Sequence, residues 1–138
     1  FMMAQKAELF GDEEIRKQIL ESQTPDHIKA LGRKVRGFDQ ELWDKVKYAI
    51  VLNGNWCKFS QNRRLQSFLL STGDSVLVEA SPYDTIWGIG LSADSPDAQK
   101  PQSWCGQNLL GFALMEVRDE LRRVTQNEGL CDWSLVDR

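Results

Sequence analysis

Ser75-Val76-Leu77-Val78-Glu79-Ala80-Ser81-Pro82-Tyr83-Asp84-Thr85-Ile86-Trp87-Gly88-Ile89-Gly90-Leu91 is the stretch on which the fold class turns. Its first six residues are short, β-branched and bounded by turn residues, the pattern of a buried strand. Ser81-Pro82-Tyr83-Asp84 then turns the chain, and Thr85–Leu91 reads as a second extended segment. To either side the pattern is helical. Residues 2–10 are good helix formers that end at Gly11, and Asp12 can cap a helix carrying Ile15, Ile19 and Leu20 on one face. Thr24-Pro25 places an N-cap before a proline at the first helical position, which predicts a short helix to about Lys34. Asp39 can cap the next helix, with Leu42, Trp43, Val46, Ala49 and Ile50 at spacings of three and four. Asn62 to Leu70 gives another. Residues 92–105 read as a loop, and a long helix runs from about Gln107 to Val124. The tail from Thr125 is irregular, with Leu130, Trp133 and Leu135 able to pack back. The expected architecture is an α+β fold, a predominantly helical single domain with a small β element.

The chain has 138 residues, 17 Lys+Arg against 20 Asp+Glu and one His, for a formal charge of −3. That length supports one sizeable core. No run reaches the roughly 18 apolar residues of a membrane span, and no signal-peptide pattern is present. Cys57, Cys105 and Cys131 form no Cys-x-x-Cys, which argues against a disulfide scaffold or zinc ribbon and for a reducing compartment, cytoplasmic or nuclear. Charge is uneven: residues 1–70 carry 12 basic and 9 acidic side chains, residues 71–138 carry 5 and 11. A basic first half can meet phosphates, although most such side chains are solvated helix faces.

Glu79 is a carboxylate inside an apolar run, costly unless paired or put to use. Asp84 follows five residues later, beside Trp87. Two carboxylates in different surroundings suit general acid–base cleavage of a glycosidic bond. Equally, Glu79 could pair with an arginine and Asp84 could simply close the turn. Lys6, flanked by Met2, Met3 and Phe10, could be a desolvated nucleophile or an ordinary solvated charge. Trp87 and Trp104 could stack on a base or belong to the core. The helix start at Gly106-Gln107-Asn108 could offer N–H groups to an anion or be capped locally. With a single His, neither a His-based triad nor a metal cluster is supported, and no cofactor is indicated.

Taken together, Phe1-Met2-Met3-Ala4-Gln5-Lys6-Ala7, Leu31-Gly32-Arg33-Lys34-Val35, Lys58-Phe59-Ser60-Gln61-Asn62, Thr72-Gly73-Asp74, Val78-Glu79-Ala80-Ser81-Pro82, Asp84-Thr85-Ile86-Trp87-Gly88-Ile89-Gly90 and Trp104-Cys105-Gly106-Gln107-Asn108-Leu109-Leu110-Gly111 strongly resemble the NADAR (YbiA-like) family, in order, from residue 1 to about 124. The resemblance implies an N-glycosidase linked to NAD and ADP-ribose metabolism. Its substrate would be ADP-ribose joined to guanine in DNA or nucleosides, or a phosphoribosylamino-pyrimidine intermediate of riboflavin synthesis. A non-catalytic reader of ADP-ribose is the rival from another class. Lys6, Glu79 and Asp84 would line the catalytic pocket. Trp87 and the Gly106-Gln107-Asn108 stretch would face the ligand, and Trp104 and Asn62 complete the expected binding set. The resemblance also implies a β-rich segment ahead of Phe1, ending in a Glu-His-type motif, so the chain is expected to be a single NADAR domain lacking that segment.

Overall fold

Helices form at all six expected positions: α1 Met2–Leu9, α2 Glu13–Glu21, α3 Pro25–Gly32, α4 Gln40–Ser60, α5 Arg63–Ser71 and α6 Leu109–Leu130. Their starts follow from local chemistry. Asp12 accepts the Ile15 N–H, Asp39 that of Leu42 and Asn62 that of Leu65, each satisfying an orphan donor of a first turn. Pro25 sits at the start of α3 after Thr24, which itself makes no side-chain cap bond. The computed structural model describes residues 1–130 and 133–135. The chain divides into two units, Phe1–Gly54 and the residues from Asn55 on.

In the first unit α1, α2 and α3 pack on one another around Ala4, Ala7, Ile19, Leu31 and Val35, with Met3, Phe10, Ile15 and Ile28 against them. Gly32 is where α1 meets α3, since a Cβ there would meet the Met3 side chain well inside contact distance. Asp12 is the polar centre of this unit. Its buried carboxylate takes the Arg36 guanidinium through both oxygens, at 2.7 and 3.0 Å, together with the Arg36 N–H at 2.9 Å. The Arg36 hydrogen bonds hold the Asp12 carboxyl far below the usual carboxylate range. A depressed native pKa stabilises the fold above the unfolded-state pKa, and the benefit is lost as pH falls toward the native one. Asp12→Asn is therefore expected to lower Tm by several degrees at neutral pH. In thermal melts across pH, the gap to wild type should stay constant above about pH 5 and close as pH falls below about 4.

The second unit overturns the α+β expectation. Among the described residues there is no strand and no sheet: residues 75–80 are extended but unladdered, and residues 85–91 form turns and bends. The β-branched run does adopt an extended path, but what it lies on is a helix. One face of α6 supplies the polar groups that a neighbouring strand would offer. Arg122 donates to the Gly73 carbonyl at 2.9 Å, Arg118 to Ser75 O at 2.8 Å and to Thr72 Oγ1 at 3.0 Å. Asn108 Nδ2 donates to Leu77 O at 2.9 Å, and its Oδ1 accepts the Glu79 N–H at 3.1 Å. The two elements run antiparallel: Gly73, Ser75 and Leu77 meet Arg122, Arg118 and Asn108 in turn. α5 packs on α6, and Phe59, Leu69, Ile89, Ala113, Val117 and Leu121 are buried.

α6 also runs past the expected end, to Leu130. Leu130 and Leu135 do not pack back; both are more than four-fifths exposed. The side chains of Cys131 and Trp133 lie outside the described residues. No described helix is long and apolar enough to cross a membrane.

Candidate functional site

In the second unit the extended run, the 84–90 turn and the start of α6 close on one another. Asp84 Oδ1 accepts the N–H groups of Ile86 at 3.0 Å and Trp87 at 2.7 Å, so the carboxylate shapes the turn. The carbonyls of that turn then point at the helix start. Gln107 N–H donates to Thr85 O, Asn108 N–H to Gly88 O, Leu109 N–H to Ile86 O and Leu110 N–H to Trp87 O, at 2.9 to 3.2 Å. The donors that an anion would need at this helix start are thus already bonded within the chain.

Two glycines make the closure possible. A Cβ on Gly88 would stand 2.8 Å from both Asp84 O and Glu79 O, and one on Gly106 would stand 2.9 Å from Thr85 Cα and from the Ile89 carbonyl carbon. Glycine is needed here because backbone approaches backbone.

Glu79 stands at the edge of this knot. Its N–H is bonded to Asn108, and its carbonyl accepts the N–H groups of Ser81 at 3.0 Å and Ile89 at 2.9 Å. The side chain is half-buried, and its carboxylate makes no hydrogen bond or ion pair among the described residues. Among the described residues no arginine pairs with it. The result is a fixed backbone carrying an uncommitted carboxylate.

The other expected residues separate by environment. Trp87 is half-buried in the turn. Trp104 is half-buried and donates its indole N–H to Ala98 O at 2.9 Å, which anchors the 98–104 loop. Gln107 is exposed, whereas Asn108 is fully buried with both amide atoms occupied. Asn62 serves as the N-cap of α5. Among the described residues no His/Cys/Asp/Glu group is arranged to hold a metal.

Lys6 belongs to the first unit. Its ammonium donates to Gly32 O at 2.9 Å and lies 4.1 Å from the Phe38 ring centroid and 5.7 Å from that of Trp43. Burial of the ammonium lowers the Lys6 pKa from its ordinary value. Arg33 and Lys34, directly after the carbonyl that holds Lys6, are exposed and without ion pairs among the described residues. An open groove of about 360 Å³ at the C-terminal end of α2, lined by Gln18, Glu21, Ser22, Gln23, Thr24 and His27, contains none of these candidates.

Sequence reasoning missed Arg118 and Gly111, the residues of α6 that seat the extended run. The signal was present: a charge, Arg118, inside the apolar series Leu114, Val117, Leu121.

In the second unit a glycine-built turn fixes the backbone of Glu79; in the first, Lys6 is desolvated. The family follows from comparison: residues 1–122 match the NADAR domain model, and the chain belongs to the NADAR family. It is 51% identical over 120 residues to N-glycosidase R617 of Acanthamoeba polyphaga mimivirus, covering 87% of this chain and 71% of that protein. It is 36% identical to N-glycosidase Npun_R5314 of Nostoc punctiforme, over 78% of this chain and 62% of that protein. It is also 34% identical to the maize chloroplastic riboflavin biosynthesis protein PYRR, over 78% of this chain and 16% of that much longer protein. N-glycosidase is the enzyme class these relatives support.

Proposed function

We propose that this chain hydrolyses the N-glycosidic bond between ADP-ribose and guanine in modified nucleic acid or nucleosides. The observation that carries it is the uncommitted Glu79 carboxylate on a backbone fixed at every polar atom. As a ribosyl C–N bond breaks, the anomeric carbon becomes oxocarbenium-like. A carboxylate beside it stabilises that charge and accepts a proton from attacking water. The second Asp84 oxygen adds negative charge to the same turn, since the Asp84 and Glu79 carbonyls both close on Gly88. Lys6 offers an alternative route. Its amine, with a lowered pKa, would attack the anomeric carbon as the C–N bond to the base breaks; the proton lost by the amine goes to the departing base nitrogen, the ribosylamine opens to a Schiff base, and water hydrolyses it to the free sugar and the amine. Arg33 and Lys34, exposed after the carbonyl that holds Lys6, support a phosphate-bearing substrate on the Lys6 route.

A second substrate reading, a phosphoribosylamino-pyrimidine of riboflavin synthesis, is favoured by the similarity to PYRR. Base release measured side by side on ADP-ribosylated guanosine and on such a pyrimidine is expected to favour the guanosine conjugate by at least tenfold in kcat/KM. The reverse preference would replace the first substrate with the second. Tight calorimetric binding of ADP-ribose without release from either would instead mark a non-catalytic reader. Borohydride added during turnover separates the routes. A mass increment on Lys6 means the Schiff base, and an unmodified Lys6 means direct attack by water.

A further inference from the structure

We infer that Asn108 is the positioning residue for Glu79, acting as a one-residue substitute for a partner strand; this rests on the reading of Glu79 as the catalytic carboxylate. Three features carry it. Asn108 is fully buried, and its amide is spent on Leu77 O at 2.9 Å and the Glu79 N–H at 3.1 Å. Those groups flank Val78 on one side of the extended run, the pair that a residue on a parallel neighbouring strand would engage. Asn108 is itself held in a left-handed conformation, at φ +53°, its N–H on Gly88 O and its carbonyl receiving the Phe112 N–H. One residue therefore ties these elements together: its backbone holds the start of α6 to the Asp84–Gly90 turn, and its side chain holds the Glu79 backbone to both. Neither amide atom is left for a ligand.

A base fixed this way loses rate, not affinity, when its support is removed, because small displacements of a reacting group cost about 100-fold. Asn108→Gly keeps the left-handed backbone accessible and deletes only the amide. Asn108→Asp keeps the shape and the acceptor for Glu79 N–H but loses the donor to Leu77 O, and serves if the glycine variant does not fold. On ADP-ribosylated guanosine, each variant that retains the wild-type circular dichroism is expected to lower kcat about 10- to 100-fold with KM within about twofold. In a Glu79→Gln background the same substitution should add almost nothing, since the group it acts through is already disabled. A raised KM with unchanged kcat would overturn the inference by making Asn108 a ligand contact. Full additivity in the double variant would overturn it by making Asn108 independent of Glu79. Should Glu79→Gln alone leave kcat intact, the catalytic reading of Glu79 fails first and takes the inference with it.

Discussion

Glu79→Gln is expected to slow base release by about two to four orders of magnitude while leaving Tm within a degree of wild type. The activity loss follows from removing the group that accepts the proton from water and faces the positive anomeric carbon. The unchanged stability follows from the structure: the carboxylate makes no described hydrogen bond or ion pair, so an isosteric amide breaks nothing. Asp84 provides the contrast, since its Oδ1 bonds to Ile86 and Trp87 N–H shape the turn. Asp84→Asn retains that acceptor and should keep the fold, so any rate loss reports charge. Asp84→Ala removes it and should cost about 1 kcal/mol of stability as well. Kinetics on ADP-ribosylated guanosine together with thermal melts read both axes. Full activity in folded Glu79→Gln would remove Glu79 from the mechanism.

The helices were legible because their signals are local: Asp12, Asp39 and Asn62 each bond the N–H three residues on. The strand expectation fails because it rests on local residues alone. Val76 and Val78 do favour an extended backbone, but extension and sheet are separate properties, and the second depends on who supplies the partner. Here the partner is Asn108, Arg118 and Arg122, some 29 to 49 residues downstream. Those positions, with Gly111, share one face of α6, yet nothing within residues 75–80 points to them. The same holds at the site. A carboxylate in an apolar run marks Glu79 from sequence alone, whereas its having no arginine partner among the described residues is a fact of tertiary structure. Lys6 looked like any helical lysine. Its desolvation comes from Phe38 and Trp43, which no local spacing connects to it. The family resemblance, carried by ordered motifs, implies Lys6, Glu79 and Asp84 as pocket residues without reference to any of these contacts.

Two glycines on α6 should respond to the same substitution with opposite signs. Glycine to alanine inside a helix ordinarily stabilises by about 0.5 to 1 kcal/mol, since the unfolded chain loses freedom and the helix gains propensity. Gly129 meets that condition: a Cβ there would touch nothing within 4 Å. Its place in the last turn of α6 reduces the gain to a few tenths of a kcal/mol, by about the extent to which helix ends fray. Gly111 does not meet it. It is buried, and a Cβ would overlap Leu77 O and stand 2.6 Å from Asn108 Oδ1. The first is a backbone atom and the second is held by the Glu79 N–H, so neither can simply swing aside. The run would have to lift off the helix, straining the bonds to Leu77 and Glu79. Gly111→Ala is therefore expected to destabilise by about 2 to 3 kcal/mol in denaturant unfolding, as overpacking does, despite its better helix propensity. It should also lower kcat, because the displaced segment carries Glu79, while Gly129→Ala leaves kcat untouched. A stabilised Gly111→Ala with full activity would mean that the run does not sit on α6.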